Sequence, residues 1–306
     1  MEQMLVTGAA GFIGAALAKK LVLMGVEVVT IDNLSTGYID NVPEGVTFIR
    51  GDVADPGVYE ALQKYDFSAV FHLAGQSSGE VSFDDPVYDL RTNTESTLLL
   101  VKLCHSIGCK RLIFASTMSV YGDEIASPVS EIDRCTPKSF YGVGKYASEQ
   151  YLRLYNGPDL ATTSLRLFNV YGPGQNMENL RQGMVSIYLA QALRDQRIVV
   201  KGSNKRFRDF IYIDDVVRCF VGCIENDASV GQAINVGTGL RVSVADLLGL
   251  IAKQFDSDIP VVFDGGTNGD IEGIFADVTK MHSIFGECGH VALEEGIERM
   301  YSFYAS

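Results

Sequence analysis

The sequence predicts an α/β protein: a doubly wound parallel sheet followed by a smaller C-terminal α/β unit. Three observations predict it. An apolar run, Met4 to Thr7, leads into a glycine-spaced turn, Thr7-Gly8-Ala9-Ala10-Gly11-Phe12-Ile13-Gly14. Short β-branched runs then alternate with stretches of helical periodicity. Tyr141 and Lys145 stand four residues apart, on one face of a predicted helix.

The elements follow in order. Ala15 to Met24 has helical periodicity and stops at Gly25, and Val26 to Ile31 is a strand run ending in Asp32. Further strands are predicted at Thr47–Ile49, Ala69–His72, Arg111–Ser116 and Thr163–Phe168. Helical stretches lie between them near Val58–Lys64, Arg91–Ile107 and Tyr141–Tyr155. Such alternation implies a parallel sheet covered by helices on both faces. After Asn169 the texture changes. Gly172-Pro173-Gly174 breaks the chain, Met184 to Leu193 reads as a helix, and Phe210 to Glu225 reads as a return to the main body. From about Leu240 come a helix near Val244–Phe255, a strand at Pro260–Phe263 and a Gly-rich loop, Gly265–Gly273. The expected division is a dinucleotide-binding part, 1–170 with a return segment at about 208–238, and a substrate-binding part, 171–207 with 239–306.

Composition excludes several classes. The 306 residues leave room for two domains, and 47% apolar residues can bury a sizeable core. A net charge of -13 argues against bulk nucleic-acid binding, and an anionic ligand must be held by local positive groups. There is no signal peptide and no long uncharged apolar run, so a cytoplasmic chain that does not span a membrane is expected. The six cysteines lack metal-type spacing, and His72, His105, His282 and His290 are scattered. No metal site is expected.

Gly8, Gly11 and Gly14 allow a tight turn, close backbone approach to a pyrophosphate, and close helix–strand packing. Asp32 can accept from adenosine ribose hydroxyls and would repel a 2′-phosphate, which favours NAD over NADP. A turn role within Asp32–Gly37 is compatible with the same placement. Asp52-Val53 is placed to contact adenine; a helix-cap role for Asp52 is the alternative. A cation beside a phenol lowers its pKa, so Lys145 is expected to make Tyr141 a usable base. Cofactor turn and base together read as redox chemistry at a hydroxyl carbon.

These residues carry a resemblance. Besides the turn, Asp32-Asn33, Asp52-Val53 and the Tyr141/Lys145 pair, the markers are His72-Leu73-Ala74-Gly75, Ser116–Gly122, Arg166–Gly174, Arg208–Tyr212 and Asn235-Val236-Gly237. The chain resembles the extended short-chain dehydrogenase/reductases, in their nucleotide-sugar epimerase/dehydratase group, over nearly its whole length. The resemblance implies a Rossmann fold with NAD. It makes Tyr141 the base toward a sugar hydroxyl, Lys145 the group that binds the nicotinamide ribose, and Thr117 the hydroxyl that steadies the proton. The cofactor set becomes Gly8, Gly11, Phe12, Ile13, Gly14, Asp32, Asn33, Asp52, Val53, Leu73, Ala74, Gly75 and Asn93 with Tyr141 and Lys145. Asn169 and Arg208 would hold the substrate diphosphate, in a neighbourhood made basic by Lys201, Lys205 and Arg206. Gln76, Ser77, Ser78, Thr117, Met118, Ser119 and residues near Ile274 would wall the sugar.

The 4,6-dehydratases of this group carry Asp-Glu after the threonine. Here Met118-Ser119 stand there, which removes the acid and base that elimination needs. Reversible oxidation at C4 remains: 4-epimerisation of a UDP-hexose or UDP-N-acetylhexosamine, with NAD regenerated. The Asp32–Gly37 segment also resembles that of UDP-hexose 4-epimerases. The alternatives are a 5,6-dehydratase, a uronate decarboxylase or a uronate 4-epimerase, a simple dehydrogenase releasing NADH, and a non-catalytic NAD-binding protein. Thr267-Asn268-Gly269-Asp270 lacks an arginine that many relatives carry; either another basic residue such as Arg181 or Arg206 replaces it, or the nucleotide differs. Gly144 stands where relatives have Ser, and Ser96 replaces a common glycine as a packing change. A homodimer through the helices near Arg91–Ile107 and Tyr141–Tyr155 is expected from the same resemblance.

Overall fold

The computed structural model describes residues 2–123, 127–266, 272–287 and 289–305. The chain opens with β1 (Gln3–Thr7), α1 (Phe12–Leu23) and β2 (Glu27–Asp32). α1 starts three residues before its apolar periodicity does, because Gly11 is itself the extended residue before the first turn. β3 (Thr47–Arg50) and β4 (Phe67–His72) follow. The helix expected near Val58–Lys64 is instead a run of 3₁₀ turns, Pro56–Leu62, that Asp55 caps at Gly57 N. Next come α2 (Pro86–Leu90), a π-helical turn at Arg91–Glu95, and α3 (Ser96–Ile107), so the predicted Arg91–Ile107 helix carries a wide turn at its start. β5 (Arg111–Thr117), α4 (Phe140–Tyr155) and β6 (Ala161–Leu167) complete the first half.

The later elements are β7 (Asn169–Tyr171), α5 (Met184–Asp195), β8 (Ile198–Val200), β9 (Phe207–Arg208), β10 (Phe210–Tyr212), α6 (Ile213–Glu225) and β11 (Ala233–Val236). They end with β12 (Val242–Ser243), α7 (Val244–Ala252), β13 (Val261–Phe263), β14 (Gly273–Ile274), α8 (Thr279–Phe285) and α9 (Leu293–Ala305). The predicted Thr267–Asp270 segment lies outside the described residues.

Seven strands form one parallel sheet in the order β11-β6-β5-β4-β1-β2-β3. Alternate β1 side chains enter opposite cores, as a sheet covered on both faces requires. Met4 and Val6 pack with Leu17, Phe71 and Phe220, whereas Leu5 packs with Val29, Leu100 and Phe114. The chain runs outward from β1 to β3 and then crosses back to β4, so the strand order switches between β1 and β4. A crevice opens at the carboxyl ends of strands at such a switch. The remaining strands form small separate sheets, β7 with β10, β8 with β13, and β9 between β12 and β14. No helix among the described residues is long and apolar enough to cross a membrane.

Candidate active site

The crevice is built first by glycine. Gly8 has φ +78°, and a Cβ there would come within 2.7 Å of Ala74 N. A Cβ on Gly14 would overlap the Gly8 carbonyl. A side chain at Gly14 would push α1 away from the turn, and one at Gly8 would push the turn off the Leu73-Ala74 backbone, so the sequence here fits a ligand that must meet bare backbone. Asp32, at the end of β2, accepts from Ala10 N at 3.0 Å and from Leu34 N at 2.8 Å. It therefore fixes the glycine turn and the following loop, and each carboxylate oxygen keeps a lone pair for a ligand hydroxyl. Asn33 Nδ2 donates to Asp52 Oδ2 at 3.0 Å, and Asp52 Oδ1 accepts from Ala54 N.

The groove above the switch point is lined by Gly8, Gly11–Gly14, Asp32, Asn33, Asp52, Val53 and Leu73–Gly75, among others. Asn93 and Lys145 stand behind Gly75: a Cβ on Gly75 would collide with Asn93 Oδ1 and lie 3.4 Å from Lys145 Nζ. Below them, Thr7 Oγ1 accepts from Leu73 N and Ala74 N, so its proton points to His72 Nδ1 at 3.0 Å. His72 then carries its proton on Nε2, toward Ser96 Oγ at 3.2 Å, and Ser96 donates to Thr92 O. Ser96 is thus a hydrogen-bonding link and not only the packing change expected. Burial, and the Lys145 charge nearby, hold His72 well below the usual histidine range.

α4 delivers Tyr141 and Lys145. Ser139 Oγ accepts from Gly142 N at 3.1 Å and starts the helix. Lys145 Nζ donates to Ala115 O at 3.0 Å and lies 4.7 Å from the centre of the Phe114 ring. Burial pushes its pKa down to about 8, against an upward pull from Asp89. Tyr141 hydrogen-bonds to Thr117, whose hydroxyl also meets Ser119 N and Ser119 Oγ, each at 3.2 Å. Burial raises the Tyr141 phenol to about 12, the Thr117 hydrogen bond pulls it down, and Asp89 pushes it up. The depression expected from Lys145 is therefore not what the protein's own groups produce, because desolvation of the phenol dominates.

A second cavity adjoins the first. Ser77, Ser119 and Asn169 line it, with Lys138, Arg181, Gln182, Tyr188, Lys201 and Arg206. Among the residues lining either space, only Ser77 and Gln182 line both. They exchange two hydrogen bonds, Ser77 Oγ to Gln182 Oε1 at 2.9 Å and Gln182 Nε2 to Ser77 O at 3.0 Å. Gln76 is turned into its own loop, donating to Ser78 O and Asp89 Oδ1. Met118 Sδ accepts from Asn169 Nδ2, which also donates to Asp209 O. Arg208 is buried, with Nη1 on Phe207 O and Glu272 O, and burial beside Arg206 lowers it to about 10. Arg181 is held by Glu80 and Asp84. Asp89 and Gln182 were not foreseen. Asp89 had one signal, its four-residue spacing to Asn93; Gln182 had none, since its contact depends on how a loop folds back. No cluster of potential metal ligands occurs among the described residues.

Comparisons with known proteins agree with this geometry. Residues 4–237 match the model of the NAD dependent epimerase/dehydratase family. A UDP-glucose 4-epimerase of Mycolicibacterium smegmatis is 34% identical over 307 residues, spanning 98% of this chain and 97% of that one. A UDP-glucuronic acid decarboxylase 1 of Xenopus tropicalis is 30% identical over 99% of this chain and 72% of its own length. Among solved structures, a Thermotoga maritima UDP-glucose 4-epimerase with UDP-glucose superposes with TM-score 0.94 at 33% identity, covering 99% of this chain and 98% of that one. A Thermus thermophilus UDP-glucose 4-epimerase in complex with NAD gives 0.91 at 32% identity, covering 99% of both chains. The chain belongs to the NAD-dependent epimerase/dehydratase family, and its cofactor is NAD.

Proposed function

We propose that this enzyme interconverts the C4 epimers of a UDP-linked hexose or N-acetylhexosamine through a 4-keto sugar. The observation that carries the reading is the Thr117–Tyr141 hydroxyl pair next to Lys145, with Met118-Ser119 where elimination would need carboxylates. Its relation to UDP-glucose 4-epimerases over almost its whole length supports the same reading.

The residues fit NAD: the bare turn Gly8–Gly14 suits a pyrophosphate, and Asp32 suits ribose hydroxyls. Asp52-Val53 suit adenine, and the buried, unpartnered Asn93 Oδ1 offers an acceptor at the inner end. When bound, NAD supplies a reversible hydride acceptor and a cationic ring. Tyr141 takes the sugar hydroxyl's proton, Thr117 holds that proton's path, and Lys145 binds ribose hydroxyls. A phenol at about 12 is a weak acid, so Tyr141 needs added positive charge to act near neutral pH. Asn169 and Arg208 hold the diphosphate, aided by Lys201 and Arg206, which line the second cavity together with Asn169. Residues 171–207 and 239–306 form the substrate-binding part, and the protein works in the cytoplasm as a homodimer.

The test is product analysis after incubation with UDP-glucose, UDP-GlcNAc and UDP-glucuronate. An equal-mass isomer without net NADH supports the proposal; loss of water or carbon dioxide moves the protein to a dehydratase or decarboxylase. Tyr141→Phe should lower turnover by about 10²–10⁴-fold while NAD stays bound. Full activity in that variant would remove Tyr141 from the role of base.

A further inference from the structure

Asp89, on α2, is 1% exposed and lies beneath the inner end of the cofactor groove. Its Oδ1 accepts from Gln76 Nε2 at 2.9 Å and from Asn93 Nδ2 at 3.1 Å. Its Oδ2 faces α4 at Gly144, where a Cβ would come within 3.4 Å. One carboxyl thus touches the loop after β4, the π turn and the helix that carries Tyr141 and Lys145.

The chemistry of the Asn93 amide makes this contact directional. Asn93 Nδ2 donates to Asp89 Oδ1 and to Gln76 O at 2.9 Å, two groups that can only accept. The amide must therefore turn its nitrogen to them and its oxygen away. Asn93 Oδ1 is left buried without a partner, aimed at Gly75. A neutral amide at position 89 could donate as well as accept, which would leave Gln76 O alone to enforce the orientation.

We propose that Asp89 is a positioning residue of the cofactor site: its carboxylate fixes the Asn93 amide with Oδ1 presented to NAD. His72 and Asp89 share the field of Lys145, and burial keeps His72 neutral. Among the described residues Asp89 is the carboxylate that works against the burial that lowers Lys145; burial raises Asp89 itself, and the Gln76 and Asn93 amides and the Lys145 charge pull it back down. Removing its charge lowers Lys145 further, so the ammonium is lost at a lower pH. The inference rests on NAD binding and not on the identity of the sugar.

The experiment measures NAD retained by the purified holoprotein, without sugar, as a function of pH. Asp89→Asn should weaken NAD about tenfold. It should also move the alkaline loss of NAD down by about one pH unit. Asn93→Ala should weaken NAD without moving that pH, and below the alkaline limb the double variant should bind no worse than the weaker-binding single, because there one residue acts through the other. Asp89→Glu keeps the charge, so its alkaline limb should stay at the wild-type pH; this variant carries the test if Asp89→Asn does not fold. Additive losses, or an alkaline limb that moves with the charge retained, would overturn the proposal and leave Asp89 a structural carboxylate.

Discussion

At Lys145 two demands collide. The ammonium must lie at the inner end of the groove, yet it is 4% exposed. Its hydrogen bond to Ala115 O and the Phe114 ring face offset part of the desolvation. With the folded pKa near 8, the charge costs on the order of 3 kcal/mol at pH 7. Lys145→Met should therefore raise Tm at pH 7 while NAD affinity and turnover collapse. The sign of the pH dependence follows from the depressed value. Between about 8 and 10.5 the unfolded chain binds more protons at this site than the native one, so the wild-type contribution becomes less unfavourable as pH rises. The Tm gain of the variant should shrink from pH 7 to pH 9; a gain that grows would contradict a buried charged lysine. His72 behaves differently, because its chain of hydrogen bonds to Thr7 and Ser96 already satisfies the neutral ring.

α4 is the element on which the chemistry stands. Its first turn is held by the Ser139 hydroxyl, and Tyr141 follows two residues later. Ser139→Ala should cost about 1 kcal/mol. Thermal unfolding should show a Tm lowered by about 2 °C. An unchanged Tm would mean that tertiary packing alone holds that end. This element and the β1–α1–β2 unit were legible in the sequence because long periodic runs and forced glycines leave a pattern. β8, β9, β10, β12 and β14 were not read, being two or three residues long, too short to show alternation. α9 is amphipathic over thirteen residues and was still missed, although Ile297 and Met300 are fully buried. Asp89 was passed over for another reason: apart from its spacing to Asn93, a carboxyl buried by its partners looks in sequence like any exposed acid on a short helix.

Across the whole molecule one surface stands out. Phe83, Val87, Leu90, Phe140, Val143 and Leu154 are exposed apolar side chains on or beside α2 and α4. A stretch of this kind on a chain with net charge -13 suits an interface between two copies. Most of it sits on α2 and α4, whereas α3 turns its large apolar residues inward. Leu154 is 71% exposed, so Leu154→Glu should leave the monomer fold intact, and if this face joins the proposed homodimer the variant should sediment at half the wild-type mass. A variant that sediments like the wild type would place any dimer contact elsewhere. The same scale explains the buried Arg166–Glu149 pair. It joins β6 to α4, and through Ser116, Tyr121 and Asn235 it reaches β5 and β11, so the ends of three sheet strands are fixed behind the base.

The π turn at Arg91–Glu95 amounts to one residue more than a regular helix would hold. Deleting any one residue in it would let α2 and α3 join as an ordinary helix, and everything upstream would rotate by about 100°. Loss of Thr94 or Glu95 would turn Asp89 and Asn93 together relative to α3 and the groove, although neither had been substituted. Point changes across this region would thus be graded in effect, but loss of a single codon would act as an all-or-none event. For a lineage acquiring or discarding NAD chemistry on this scaffold, helix register is as heritable a trait as side-chain identity.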